Sequence, residues 1–122
     1  MIEATILEYL SGALDVPCYM ERPPGAPGTF AVLEKTGESR ENYINTAILA
    51  VQSYAPTLLH AAELNEQVKT AMFRAAQLPG VAAVHLNSDY NFTDASSKTY
   101  RYQAVFDVTY YDKLKGYYYA YR

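Results

Sequence analysis

The side chains that could do chemistry are few, and their spacing keeps them apart. The chain holds two histidines, His60 and His85, and one cysteine, Cys18. A metal site needs several nitrogen, sulfur or carboxylate ligands converging at characteristic intervals. His60 falls on the polar flank of a helical pattern and His85 on a strand face beside Asn87, Asp89 and Asn91, so each reads as a solvated histidine. The acids are scattered, and a close pair such as Asp89 and Asp94 is separated by a run of strand and turn that resembles neither a calcium loop nor a paired-carboxylate site. No serine sits in a nucleophile-elbow context, and the glycines of PPGAPG lack the strand-to-helix setting and the lysine of a phosphate loop. Cys18, inside VPCYM, reads as a buried structural thiol, since one cysteine forms neither an internal disulfide nor a zinc site. The expected catalytic, cofactor and metal sets are therefore all empty, and the chain reads as a non-enzyme.

The elements that hold these residues belong to one domain. A length of 122 residues suits a single core, and 50% hydrophobic with 19% charged residues is ordinary for a soluble globular chain. No apolar run approaches the roughly 18 residues of a membrane span. The N-terminal MIEATILEYLSGAL places Glu3 and Glu8 where an export signal would carry basic residues, so it reads as an amphipathic helix of a protein made in the cytoplasm. Without an export signal, the glycosylation-type triplet Asn91, Phe92 and Thr93 reads as coincidence. A net charge of −3 supplies no global basic field for nucleic acid.

Steps of three and four put Ile2, Ile6, Tyr9, Leu10 and Ala13 on one face of a first helix, which Gly12 and Pro17 bring to a close. Val16 to Met20 reads as a short strand whose proline favours its start or a sheet edge. RPPGAPG, residues 22–28, is a loop. Extended runs follow over Thr29 to Lys35 and Tyr43 to Tyr54, the second apolar on both faces and therefore central. TGESREN reads as the connection between them, longer than a tight turn, with Glu38, Arg40 and Glu41 projecting to solvent or a partner. Pro56 fits the first turn of a long helix that runs through Leu78, where Pro79 and Gly80 stop it. Its stripe is Leu64, Val68, Ala71, Met72 and Ala75, with Phe73 at the stripe's edge as either a core flank or an exposed contact. Val81 to Phe92, with Ala82, Val84, Leu86, Tyr90 and Phe92 in phase, and Lys98 to Tyr111 form a second hairpin around the polar turn TDASSK. The expected fold is α+β, in the order α-β-β-β-α-β-β, with an antiparallel sheet of about five strands carrying both helices on one face.

TYRYQAVFDVTYY, residues 99–111, carries five aromatic rings. Parity assigns Tyr100, Tyr102, Ala104, Phe106, Val108 and Tyr110 to one strand face and mostly polar residues to the other, as a core-facing strand requires. A stacking platform would interleave its rings with lysine and arginine. The last segment, 112–122, ends in GYYYAYR, where Tyr117, Tyr118, Tyr119 and Tyr121 are too many for one small domain to bury. Lys113, Lys115 and Arg122 stand against Asp112 there, which permits nucleic-acid binding. A subunit contact suits the tyrosines better, since tyrosine and arginine are enriched as interface anchors.

With length and element order, the stretch LNSDYNFTDASSKTYRYQAVFDVTYY is similar to the final hairpin of the tail-terminator and tail-completion proteins of long-tailed bacteriophages and phage-derived tail particles. The resemblance covers nearly the whole of the 122-residue chain and stops at the tyrosine-rich extension 112–122, which matches nothing in that pattern. It implies a homo-oligomeric ring, usually a hexamer, on the head-proximal end of the tail tube. Such a ring ends tube polymerisation, contacts the tail tube protein and the neck or head-completion protein, lets DNA pass without specific binding, and belongs to the virion. A neighbouring head-tail joining protein is the close alternative, and a nucleic-acid module using the basic tail the more distant one. Exposure and chemistry, rather than any family motif, select Glu38, Arg40, Glu41, Phe73, Arg74, Tyr117, Tyr118, Tyr119 and Tyr121 as contact residues.

Overall fold

The computed structural model describes residues 1–25 and 28–111. Its elements follow the expected order: α1 (Ile2–Ala13), β1 (Cys18–Tyr19), β2 (Phe30–Glu41), β3 (Ile44–Ala55), α2 (Leu58–Arg74) with a 3-10 turn over Ala75–Gln77, β4 (Val81–Asn91) and β5 (Tyr100–Tyr111). The strands form one sheet in the order β1-β2-β3-β5-β4. The four long strands pair antiparallel, as expected, but β1 pairs parallel to β2 through Cys18–Ala31 and Tyr19–Val32, so the sheet is mixed. Pro17 precedes this two-residue edge strand, where a missing N–H costs no ladder bond.

Both helices lie on the same side of the sheet. Ile2, Ile6 and Leu10 of α1 and Leu64, Val68, Ala71 and Met72 of α2 share one buried cluster with Leu33, Leu49, Val51, Phe106 and Val108 of the strands. The even-numbered face of β5 is core as parity requires: Ala104, Phe106 and Val108 are fully buried and Tyr110 packs against them, while Tyr100 and Tyr102 near the strand's start are half-buried. In α1, Ala13 is exposed and Tyr9 half-buried, with its hydroxyl donating to the Ala71 carbonyl at 2.7 Å and so fixing α1 on α2.

The expected Val16 to Met20 strand shortens to Cys18–Tyr19, and β2, α2 and β4 depart further from the sequence expectation. TGESREN is not a loop: β2 continues through Glu41, a bulge between Lys35 and Gly37 takes up one residue, and the turn is only Asn42–Tyr43. The central strand β3 supplies an uninterrupted partner, and a backbone ladder tolerates charged side chains where one sheet face is open. Pro56 lies outside the helix rather than in its first turn. Thr57 is the cap, its hydroxyl accepting from the His60 backbone N–H at 3.2 Å, and α2 closes at Arg74 into the 3-10 turn rather than running to Leu78. In β4 the single phase from Ala82 to Phe92 fails. Bulges after Val81 and after Leu86 re-aim the strand, so Val81 and Val84 pack on the core while Ala82, Leu86, Tyr90 and Phe92 are exposed. The turn after β4 is as expected, with Asp94 Oδ1 accepting from the Ser96 backbone at 3.1 Å and its hydroxyl at 2.8 Å.

Candidate interaction surface

Helices cover one face of the sheet, and the other carries a continuous row of rings and hydrogen-bonding groups across all four long strands. Phe30 on β2 stacks on Tyr54 of β3 with centroids 4.5 Å apart, and Tyr19 meets Phe30 edge-on at 6.0 Å. The Tyr54 hydroxyl donates to Gln52 Oε1 at 3.0 Å, Gln52 Nε2 donates to Gln103 Oε1 on β5 at 2.8 Å, and Gln103 Nε2 donates to the Tyr90 hydroxyl on β4 at 2.5 Å. Arg101 ties the row together at its end: Nη1 donates to the Tyr54 hydroxyl at 2.8 Å, Nε donates to the Phe92 carbonyl at 2.7 Å, and the guanidinium lies 4.4 Å from the Phe92 ring centre. Arg22 approaches Tyr54 at 5.2 Å. Phe30 and Tyr54 are buried with Val32 as a second small core on this face, so the part of the row open to contact is Tyr90 and Phe92, held in place by Gln103 and by the stacked guanidinium of Arg101.

The proposed contact residues fall in different places. Glu38 and Arg40 lie on the helix-covered side of β2 in one groove with Tyr110, Asn45 and Gly80, Arg74 lies in a separate groove between α1 and α2, and Phe73 lines neither. Glu38 is engaged within its own chain, at 2.6 Å from Lys35 Nζ and as acceptor for the Tyr110 hydroxyl. Those bonds, Lys35 first, hold its carboxyl below the usual range, and burial together with the neighbouring carboxylate raises the Tyr110 hydroxyl well above its ordinary value. Arg40 Nε donates to the buried Asn45 Oδ1 at 2.8 Å. Glu41, the last residue of β2, is exposed. Phe73 is 47% exposed, yet its ring also meets Phe106 edge-on at 6.1 Å, so it is core flank and surface together. Tyr117, Tyr118, Tyr119 and Tyr121 lie outside the described residues.

The sequence reading passed over the row on the helix-free face, since its rings are contributed singly by β2, β3, β4 and the residues after β4. The signal was present only as the polar parity of Arg101 and Gln103 on β5. It also passed over the hairpin tip, where Tyr43, Ile44 and Tyr111 are all exposed and Ile44 and Tyr111 are cross-strand partners.

Cys18 is half-buried, and burial pushes its thiol up, away from the thiolate. Among the described residues no three histidine, cysteine, aspartate or glutamate side chains cluster as metal ligands, and no helix is long and apolar enough to cross a membrane. Neither a protein-family model nor a curated protein matches the chain.

Proposed function

We propose that this protein is a structural subunit of a long-tailed phage or phage-derived tail particle. It assembles into a ring, a hexamer by its resemblance, on the head-proximal end of the tail tube, where it ends tube growth and joins the tube to the neck. The observation that carries the reading is the one-sided architecture: two helices close one face of the sheet, while the opposite face exposes Tyr90 and Phe92 beside half-buried Gln103 and Arg101, and the β2–β3 tip exposes Tyr43 and Ile44 beside Tyr111. The similarity of LNSDYNFTDASSKTYRYQAVFDVTYY to the final hairpin of tail-terminator proteins, and the shared element order, give that contact surface its setting. The mildly acidic chain suits a ring through which DNA passes without adhering. The tyrosines of 112–122 are assigned to subunit contact, and the protein is made in the host cytoplasm and carried in the virion.

Native mass measurement of the full chain, alone and mixed with the tail-tube subunit of the same particle, tests this reading. Rings that cap tube ends are the expected result. A strict monomer that leaves tube growth unaffected overturns it, and rings found on the neck but never on tube ends favour the head-tail joining role instead.

A further inference from the structure

The cations of this chain are used in two ways. Lys35 holds Glu3 and Glu38, and Lys69 holds Glu66 and Asp89. Arg22, Lys98 and Arg101 pair with no carboxylate among the described residues, yet they gather at one corner of the helix-free face. The guanidiniums of Arg22 and Arg101 lie 5.2 and 5.6 Å from the centre of the same Tyr54 ring, and Lys98 lines one pocket with Arg22, Tyr54 and Thr99. Asp94, the acid nearest to Lys98 in sequence, turns its carboxylate to Ser96 instead. Cations gathered without an acid repel one another and raise a local positive potential that a ligand's anion relieves.

These cations keep donors to offer. Arg22 is exposed and makes no hydrogen bond among the described residues, and a guanidinium over a ring still presents its N–H fork in its own plane. Arg101 uses Nε on the Phe92 carbonyl and Nη1 on the Tyr54 hydroxyl, which leaves Nη2. Lys98 is exposed and has a φ of 54°, in the left-handed region that glycine enters freely and a lysine seldom does. A strained turn that keeps an unpaired lysine where glycine would be easier points to use of the ammonium.

Beside the cations stand the rings of Phe92 and Tyr90, 39% and 41% exposed, with centroids 5.7 Å apart. Single strands bind where a basic track runs beside rings on which bases stack. β5 alone does not combine the two, but β4, β5 and Arg22 together do.

We infer that the corner formed by Arg22, Lys98 and Arg101 holds the phosphates of a single-stranded nucleic acid, with Phe92 and Tyr90 as the platform for its bases. Phosphate contacts carry no sequence information, so the binding is sequence-independent. It adds a ligand to the helix-free face and does not rest on the ring reading: a monomer presents the same corner, and the β2–β3 tip lies at the opposite end of β3 and β5.

Anisotropy of a labelled oligothymidylate titrated with the full-length chain tests it. Affinity should fall as salt rises, with a log–log slope of about −2 for three phosphate contacts on a single strand. Lys98→Gly relieves the left-handed turn, so its thermal midpoint should equal or exceed the parent's while the salt slope shrinks by about 0.7. Arg22→Glu combined with Lys98→Glu should weaken binding at least tenfold. Phe92→Leu keeps the carbonyl that Arg101 grips and should weaken binding about fivefold or more by removing a stacking face.

Unchanged affinity in the charge variants overturns the inference. So does a loss confined to Lys113→Glu with Lys115→Glu, which would give the binding to the C-terminal segment. A duplex, or polyglutamate of equal charge, that competes as well as the single strand would show that charge alone is read, and would overturn it too. A parent that binds the strand yet stays monomeric by native mass supports the inference while overturning the ring reading.

Discussion

Tyr110 on β5 donates its hydroxyl hydrogen bond to the Glu38 carboxylate on β2, reaching over the intervening strand β3 on the helix-covered face. The two residues are 72 positions apart in sequence. Lys35 holds the same carboxylate at 2.6 Å and lies 3.6 Å from Glu3 of α1, so one small polar cluster ties the first helix, the hairpin and the last strand together.

Tyr110→Phe removes only the hydroxyl and keeps the ring against the core. A hydrogen bond to a charged, partly exposed acceptor of this kind contributes about 1 kcal/mol. The variant should lose that amount in a denaturant titration with an unchanged slope, because the surface exposed on unfolding is the same.

The same pair sets a dependence on pH. Glu38 has a lowered folded-state value, so its contribution is complete above the ordinary glutamate range of about 4.3 and fades as pH falls through its folded value. Tyr110 has a raised folded-state value, so its contribution is complete below the ordinary tyrosine value of about 10 and is lost as pH climbs above it. Thermal midpoints should fall at both extremes, and Glu38→Gln should flatten the acid limb. An acid limb identical in the variant would show that other carboxylates govern it.

Asp89 on β4 accepts from the buried Asn65 amide of α2 at 2.7 Å and from Lys69 Nζ at 2.6 Å. Burial alone would raise its carboxyl, but the bonds from Lys69 and Asn65 outweigh that and lower it. Asp89→Ala leaves the Asn65 amide buried without an acceptor and should cost roughly 1–3 kcal/mol. Lys69→Ala removes two partly exposed ion pairs, to Asp89 and to Glu66, and should cost at most about 1 kcal/mol. Equal losses in the two variants would contradict this ranking.

Arg101→Lys should loosen the row on the helix-free face. A lysine ammonium cannot reproduce the fork that reaches the Tyr54 hydroxyl, the Phe92 carbonyl and the Phe92 ring together. A stability loss of about 0.5–1 kcal/mol is expected, together with faster amide exchange in the 92–101 hairpin.

Local pattern alone determined much of this fold. The three- and four-residue steps of Ile2, Ile6 and Leu10, and of Leu64, Val68 and Met72, identify both buried helix stripes because a helix can bury only one face against a sheet. The two-residue alternation of Ala104, Phe106 and Val108 turns an apparent aromatic excess into a core strand. Pro17 marks an edge because its backbone has no proton to donate.

Tertiary pairing decided the rest. The bulges that break the phase of β4 and carry β2 through TGESREN exist only against β5 and β3, and no local periodicity records where a neighbouring ladder skips a residue. The Phe30–Tyr54 stack, the Gln52–Gln103–Tyr90 chain and the clasp of Arg101 join residues from separate strands, so each is an unremarkable single side chain in the sequence. Sequence separation places Tyr43 within a dozen residues of Tyr54, and a fully extended β3 sets them at opposite ends of the domain.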